Sequence, residues 1–160
     1  MKAEAIMTKD SVCCLPNDTA ERAARLMKDN DCGCIPVVEQ LQTRKLLGVI
    51  TDRDIALRGV ANGRGADTHV RELMSTGVSC CSPGSDVADA ERIMARHQVR
   101  RVPVTDDAGS CVGIIAQADL ARRAGREVSD AEVGRIVERI SQPTDGARAE
   151  MHVEPGPSAT

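Results

Sequence analysis

Apolar and polar positions along this chain follow helical and extended rhythms in turn, and the same order of rhythms occurs twice. Ala20, Ala23, Ala24 and Met27 recur at helical spacing with Glu21, Arg22, Arg25 and Lys28 outward. Asn17, Asp18 and Thr19 are candidate N-caps for that helix, and residues 30–33 end it. The apolar runs 12–15, 35–38 and 46–50 predict strands, with 39–45 as a polar hairpin loop. Residues 3–8 predict a short turn, and 51–58 a second helix stopped by Gly59.

Shifting the sequence by 67 lays Met7–Val38 on Met74–Thr105 without a gap. Met7 meets Met74, Cys13 meets Cys80, Cys14 meets Cys81, Pro16 meets Pro83, and Pro36-Val37 meets Pro103-Val104. After a loop two residues longer in the first copy, Gly48, Ile50, Asp54, Ala56 and Arg58 meet Gly113, Ile115, Asp119, Ala121 and Arg123. Two copies make no solenoid. They predict an α/β (α+β) fold in which two pseudo-symmetric β-α-β-β-α units close one shared core. Unit boundaries fall at 3–58 and 70–124, with the glycine-containing stretch 59–69 as linker.

In the second unit, 78–81 predicts the leading strand, and Ser85 caps a helix with Val87, Ala90, Ile93 and Met94 inward. Strands follow at 102–105 and 111–115, and Asp119 to Arg123 falls in the unit's last helix. Ser129 to Glu132 reads as a capping box opening a C-terminal helix over 129–140. Its stripe of Val133, Ile136, Val137 and Ile140 must cover the module's own sheet or a second subunit. Residues 141–160 are rich in Pro, Gly, Ala and charge and predict a disordered tail.

A net charge of −3 gives no basic footprint for nucleic acid. No stretch approaches the roughly 20 apolar residues of a membrane span, and Met1-Lys2-Ala3-Glu4-Ala5 has no apolar signal core. Seven cysteines, an odd number with some adjacent, suit reduced thiols in the cytoplasm. Phe, Tyr and Trp are absent, so any bound base is held by aliphatic faces and backbone amides.

The most informative segment is Gly48-Val49-Ile50-Thr51-Asp52-Arg53-Asp54-Ile55. A strand ends where a helix begins, with Thr51 as N-cap and Asp54 at N3. The helix start offers free N–H groups and a positive dipole end to a phosphate. A carboxylate one turn in can accept two hydrogen bonds from a ribose diol. The alternative is a capping box alone. The repeat places Gly113-Ile114-Ile115-Ala116-Gln117-Ala118-Asp119-Leu120 in the same position, with Asp119 kept and Ala116 in place of the threonine.

The duplicated unit resembles the CBS motif, which occurs in pairs. The resemblance rests on the repeat, on Ile35-Pro36-Val37-Val38 and Arg101-Val102-Pro103-Val104, and on Gly48 to Asp54; it covers about residues 3–124. Among CBS proteins the chain is most similar to small stand-alone pairs. The resemblance implies a non-catalytic regulatory module that binds an adenosine nucleotide, AMP or ATP, between its motifs and signals through oligomer state or an unknown effector protein. It also implies a homodimer.

Carried over residue by residue, the resemblance places Val49, Ile50, Thr51 and Asp54 on one wall of a main cleft, and Val78, Ser79, Cys80, Arg100 and Arg101 on the other. Of the adjacent arginines only one should face the cleft, Arg101 by alternation. A guanidinium fork suits a phosphate. The pseudo-symmetric cleft holds Val12, Cys13, Cys14, Ile114 and Asp119, with uncharged Gly33 and Cys34 where the arginines stand, and is expected to bind more weakly.

No Walker or dinucleotide glycine fingerprint and no HExxH pattern occurs, and Asp52 and Asp54 do not face each other on a helix, so no enzyme is expected. Buried structural thiols are the default for the cysteines. The competing function is a cysteine-based redox or zinc stress sensor, with one thiol from each leading segment meeting across the pseudo-twofold axis and His69, His97 or Cys32 nearby. Spacing assembles no four-ligand set, so no metal residues are assigned.

Overall fold

In a computed structural model, described for residues 1–127 and 130–142, the chain forms two three-stranded sheets, each flanked by helices. The elements are β1 (Thr8–Lys9), α1 (Ala20–Asp29), β2 (Cys34–Val38), β3 (Leu46–Thr51), α2 (Asp52–Asp54), β4 (Ser75–Thr76), α3 (Val87–His97), β5 (Arg101–Thr105), β6 (Cys111–Ala116), α4 (Gln117–Glu127) and α5 (Asp130–Ser141). The fold is the mixed α/β pair that the repeat predicts.

The two halves exchange strands. One sheet runs β2-β3-β4 and the other β1-β6-β5. β4 comes from the start of the second repeat and pairs with β3 of the first, Gly48 opposite Thr76 and Val49 opposite Ser75. β1, from the start of the first, pairs with β6 of the second, Thr8 opposite Ile114. The cores follow the exchange. Val70 and Leu73 are buried with Cys14, Ala20, Ala23, Met27, Ile35, Val37 and Ile50, while Ala3 is buried with Cys81, Ala90, Met94, Val102, Val104, Ile115 and Leu120. Gly48 makes the exchange possible, because a Cβ there would lie 2.1 Å from the Ser75 carbonyl oxygen.

Several expectations are corrected. Residues 12–15 and 78–81 are not strands; each makes a single parallel bridge, Cys14 to Val37 and Cys81 to Val104. Cys14 N–H donates to the Pro36 carbonyl and Val38 N–H to the Cys14 carbonyl. The next ladder bonds would need N–H groups from Pro16 and Pro36, which have none. Pro83 and Pro103 stop the second copy in the same way. The helix after Thr51 does not stop at Gly59. It widens over Ile55–Gly59 and tightens over Val60–Asn62. It ends where Gly63 adopts a left-handed conformation. The cap of α3 is Asp86, one residue beyond Ser85, in a reciprocal box with Asp89. Ser85 instead accepts the Ser82 N–H in the preceding turn. Thr19 caps α1 through the Arg22 N–H.

α4 runs on past Gly125, and α5 packs back on the chain's own second core through Ile140, while Val137 is partly exposed. Ser129 of the expected capping box, the side chains of Val133 and Ile136, and the tail from 143 onward lie outside the described residues. Among the described residues no helix is long and apolar enough to cross a membrane.

Candidate functional site at the seam of the two halves

The strand-to-helix junction after β3 is built as its sequence predicts. Thr51 Oγ1 accepts the Asp54 N–H at 3.0 Å, and Asp54 Oδ2 accepts the Thr51 N–H at 3.0 Å. Thr51 keeps its own hydroxyl proton to donate. Asp54 is largely buried, its side chain 14% exposed, and Arg58 Nε lies 3.7 Å from Oδ1. The Arg58 guanidinium also donates to the Leu73 and Met74 carbonyls, tying this helix to the exchanged segment. Sequence reasoning aligned Arg58 within the repeat but gave it no role.

Alternation along β3 sorts the expected residues. Val49 and Thr51 are half-buried, whereas the Ile50 side chain is fully buried in the first core. Ile50 therefore has only its backbone to offer a ligand, a correction to its place in the cleft wall. Cys14 is likewise sealed in the core.

Arg101, paired with Ala116 in the other half, acts electrostatically on Cys34 beside this junction. The Cys34 thiol, on the residue paired with Thr51, is pushed up to about 12 by burial; the Arg101 guanidinium pulls it down, while Cys32, Asp54 and Asp52 push it further up. Arg101, Asp54 and the Thr51 end of β3 thus share one electrostatic neighbourhood. Arg101 is half-buried and Arg100 exposed, in line with alternation. Arg100 contributes its carbonyl, which accepts the Gln117 N–H at 2.9 Å. Val78, Ser79 and Cys80 are half-buried, and Ser79 Oγ lies 3.1 Å from His97 Nε2. His97 ends α3, and its bond to Ser79 carried no signal in the sequence.

The second junction repeats half of the arrangement. Asp119 Oδ2 accepts the Ala116 N–H at 2.7 Å, and Arg122 donates to Oδ1 at 2.7 Å. Ala116 has no hydroxyl. At Gly33, the counterpart of Arg100, a Cβ would lie 2.7 Å from the Asp52 carboxylate. Val12, Cys13 and Ile114 are half-buried. Among the described residues no three His, Cys, Asp or Glu are placed to hold a metal ion, and all seven cysteines are free thiols.

Two half-folds that exchange strands and present matched strand-to-helix junctions define a tandem α/β module. The CBS domain family matches residues 3–59 and 70–126, and the chain belongs to that family. It is 43% identical over 135 residues to the CBS domain-containing protein YhcV of Bacillus subtilis, covering 84% of this chain and 91% of that one. It is 33% identical over 121 residues to hypoxic response protein 1 of Mycobacterium tuberculosis, covering 75% and 82%. The crystal structure of hypoxic response protein 1 with two coordinated zinc ions superposes with a TM-score of 0.69 at 32% identity, over 76% of this chain and 98% of that one. The CBS domain pair of protein MJ0100, in complex with 5'-methylthioadenosine and S-adenosyl-L-methionine, gives 0.72 at 25% identity over 79% and 98%.

Proposed function

We propose that this chain is a non-catalytic regulatory module that binds an adenosine nucleotide of the AMP or ATP class in the seam between its CBS motifs. The observation that carries the reading is the junction after β3. There a hydroxyl with a free proton stands beside a largely buried carboxylate, and the Cys34 thiol paired with Thr51 feels the guanidinium of Arg101 from the opposite half. In this reading Thr51 and Arg101 hold the phosphate, helped by the positive end of the helix. Asp54 Oδ1 accepts the ribose hydroxyls, while Oδ2 goes on capping. Val49 and Val78 supply aliphatic faces to the base, in a chain without aromatic rings. Ser79 and Cys80 line the same wall, Arg100 adds long-range attraction, and Ile50 contributes backbone only. The adenosine compounds bound by the MJ0100 pair support the ligand class.

The second cleft, with Val12, Cys13, Cys14, Ile114 and Asp119, is the weaker site, because it has neither the hydroxyl nor the guanidinium. Bound ligand would bias the packing of the two halves, by no more than its differential affinity for the two arrangements. A partner protein, or a homodimer of such modules in the cytoplasm, would read that bias. Isothermal titration of the full chain with AMP, ATP, 5'-methylthioadenosine and zinc tests the reading. Saturable heat with a phosphorylated adenosine, lost in Asp54→Ala, is expected. Heat from zinc alone, with none from any adenosine compound, overturns it.

A further inference from the structure

The first turn after β3 spends its backbone donors on the chain itself. The Thr51 N–H donates to Asp54 Oδ2 at 3.0 Å, and the Asp54 N–H to Thr51 Oγ1 at 3.0 Å. The Asp52 N–H donates to the Gly33 carbonyl at 3.0 Å. The Arg53 N–H donates to Asp52 Oδ1 at 2.8 Å. Each of these four amides has an acceptor already, where the sequence alone leaves a helix start open to a phosphate. The donor left at the turn is the Thr51 hydroxyl proton. The turn is also negatively charged. Asp54 is largely buried, and Asp52 is exposed but folded over the turn by its bond to the Arg53 N–H. The Asp52 carboxylate closes on Gly33 as well, where a Cβ would lie 2.7 Å from Oδ2. Gly33 precedes Cys34, the residue paired with Thr51, so this carboxylate lies beside the pair that ends the sheet. The cations of the same helix leave it uncancelled. Arg58 is engaged by Asp54 and by the Leu73 and Met74 carbonyls, and Arg53, as the next residue, does not share its face. Among the described residues Asp52 makes no ion pair.

On the adenosine reading of the seam, we infer that Asp52 is a specificity-determining residue whose carboxylate selects against every phosphate beyond the first. One phosphate is met by the Thr51 hydroxyl and the Arg101 guanidinium, as proposed above. Each further phosphate adds negative charge beside a turn that holds two carboxylates and has no amide to spare. The site is thereby set for adenosine compounds of low charge, the nucleoside and its monophosphate ahead of the di- and triphosphate. The repulsion acts through water at an exposed side chain, so it is worth about three- to tenfold in affinity and fades as salt rises. The second junction lacks the device. Gln117, uncharged, stands where Asp52 stands, its N–H bonded to the Arg100 carbonyl as that of Asp52 is to Gly33.

The test titrates the full chain calorimetrically with adenosine, AMP, ADP and ATP in magnesium-free buffer, at low and at high ionic strength. Affinity is expected to fall from AMP to ADP to ATP, and to fall least steeply at high salt. Asp52→Asn keeps an acceptor for the Arg53 N–H and loses the charge. It should narrow the ratio of AMP to ATP affinity by about fivefold at low salt and by less at high salt. Asp52→Gln, which gives the first junction the side chain of the second, should do the same. Asp107→Asn alters the net charge equally but lies in the turn at the far end of β5 from Arg101, and should leave the ratio in place. A ratio that both Asp52 variants leave unchanged, one that Asp107→Asn shifts as much, or ATP binding tighter than AMP in the natural chain overturns the role of Asp52 while the adenosine reading stands. Heat from no adenosine compound overturns both.

Discussion

The two junctions of this molecule share one backbone and differ in what they can hold. Both end a strand, both cap the next helix with an aspartate three residues on, and both leave that aspartate little exposed, 14% at Asp54 and 12% at Asp119. The first has a hydroxyl at Thr51 where the second has Ala116, and the repeat sets Cys34 of the first half against Arg101 of the second. Both copies keep the aspartate that caps the helix, and they differ at the positions to which the proposed function assigns the phosphate.

The largest effect that separates the halves is alkaline. Burial raises Cys14 and Cys34 of the first core to about 12, and Cys81 of the second to about 11. An unfolded thiol loses its proton near its ordinary value of 9.0. Between those values the unfolded chain binds fewer protons, so stability falls as pH rises. Urea midpoints measured from pH 8 to 11 should drop steadily, and Cys34→Ala, if it folds, should flatten the slope more than Cys81→Ala does. Next in size, Asp54→Ala should weaken AMP binding by at least a hundredfold, about 2.7 kcal/mol, while Asp119→Ala leaves the main titration in place. Equal losses at the two positions would dissolve the distinction between the clefts.

Gly48→Ala should cost about 3 kcal/mol in chemical denaturation, because its Cβ would meet backbone oxygen at 2.1 Å. Gly113→Ala should cost less, since its nearest neighbours are the flexible Met7 sulfur at 2.7 Å and the Thr8 oxygen at 2.9 Å. Arg101→Ala should lower AMP affinity by about 1.5–3 kcal/mol and barely change titration with 5'-methylthioadenosine, which has no phosphate. Smallest, Ala116→Thr should stabilise the second junction by about 1 kcal/mol, read as a raised melting temperature. Any accompanying gain in AMP stoichiometry would show how nearly the second cleft matches the first.

Much of this was legible in residues. The repeat gave the pairing of halves. Thr51 and Asp54 announced their capping box, and the apolar runs before them gave β2 and β3. The exchange of β1 and β4 was not legible, because a two-residue strand carries no periodicity and its partner lies in the other repeat. The loss of the two leading strands was written in Pro16, Pro36, Pro83 and Pro103, whose missing donors matter only once register is known. Ser85 and Asp86 are adjacent residues that can both cap, and only backbone geometry chose between them. Alternation separates Arg101, half-buried, from exposed Arg100. It also implies that Ile50 and Thr51 point to opposite faces, so Ile50 could bring only its backbone to a wall shared with Thr51. The Arg44 guanidinium donates to the Cys111 carbonyl across 67 residues, and nothing local announces their meeting.

The crossed strands set a timetable for biosynthesis. As the chain leaves the ribosome, the first half waits for residues 75–76 before its sheet has a third strand. Residues 8–9 stay without a partner until 113–114 have emerged. Neither half can complete its sheet alone, so the two repeats mature together.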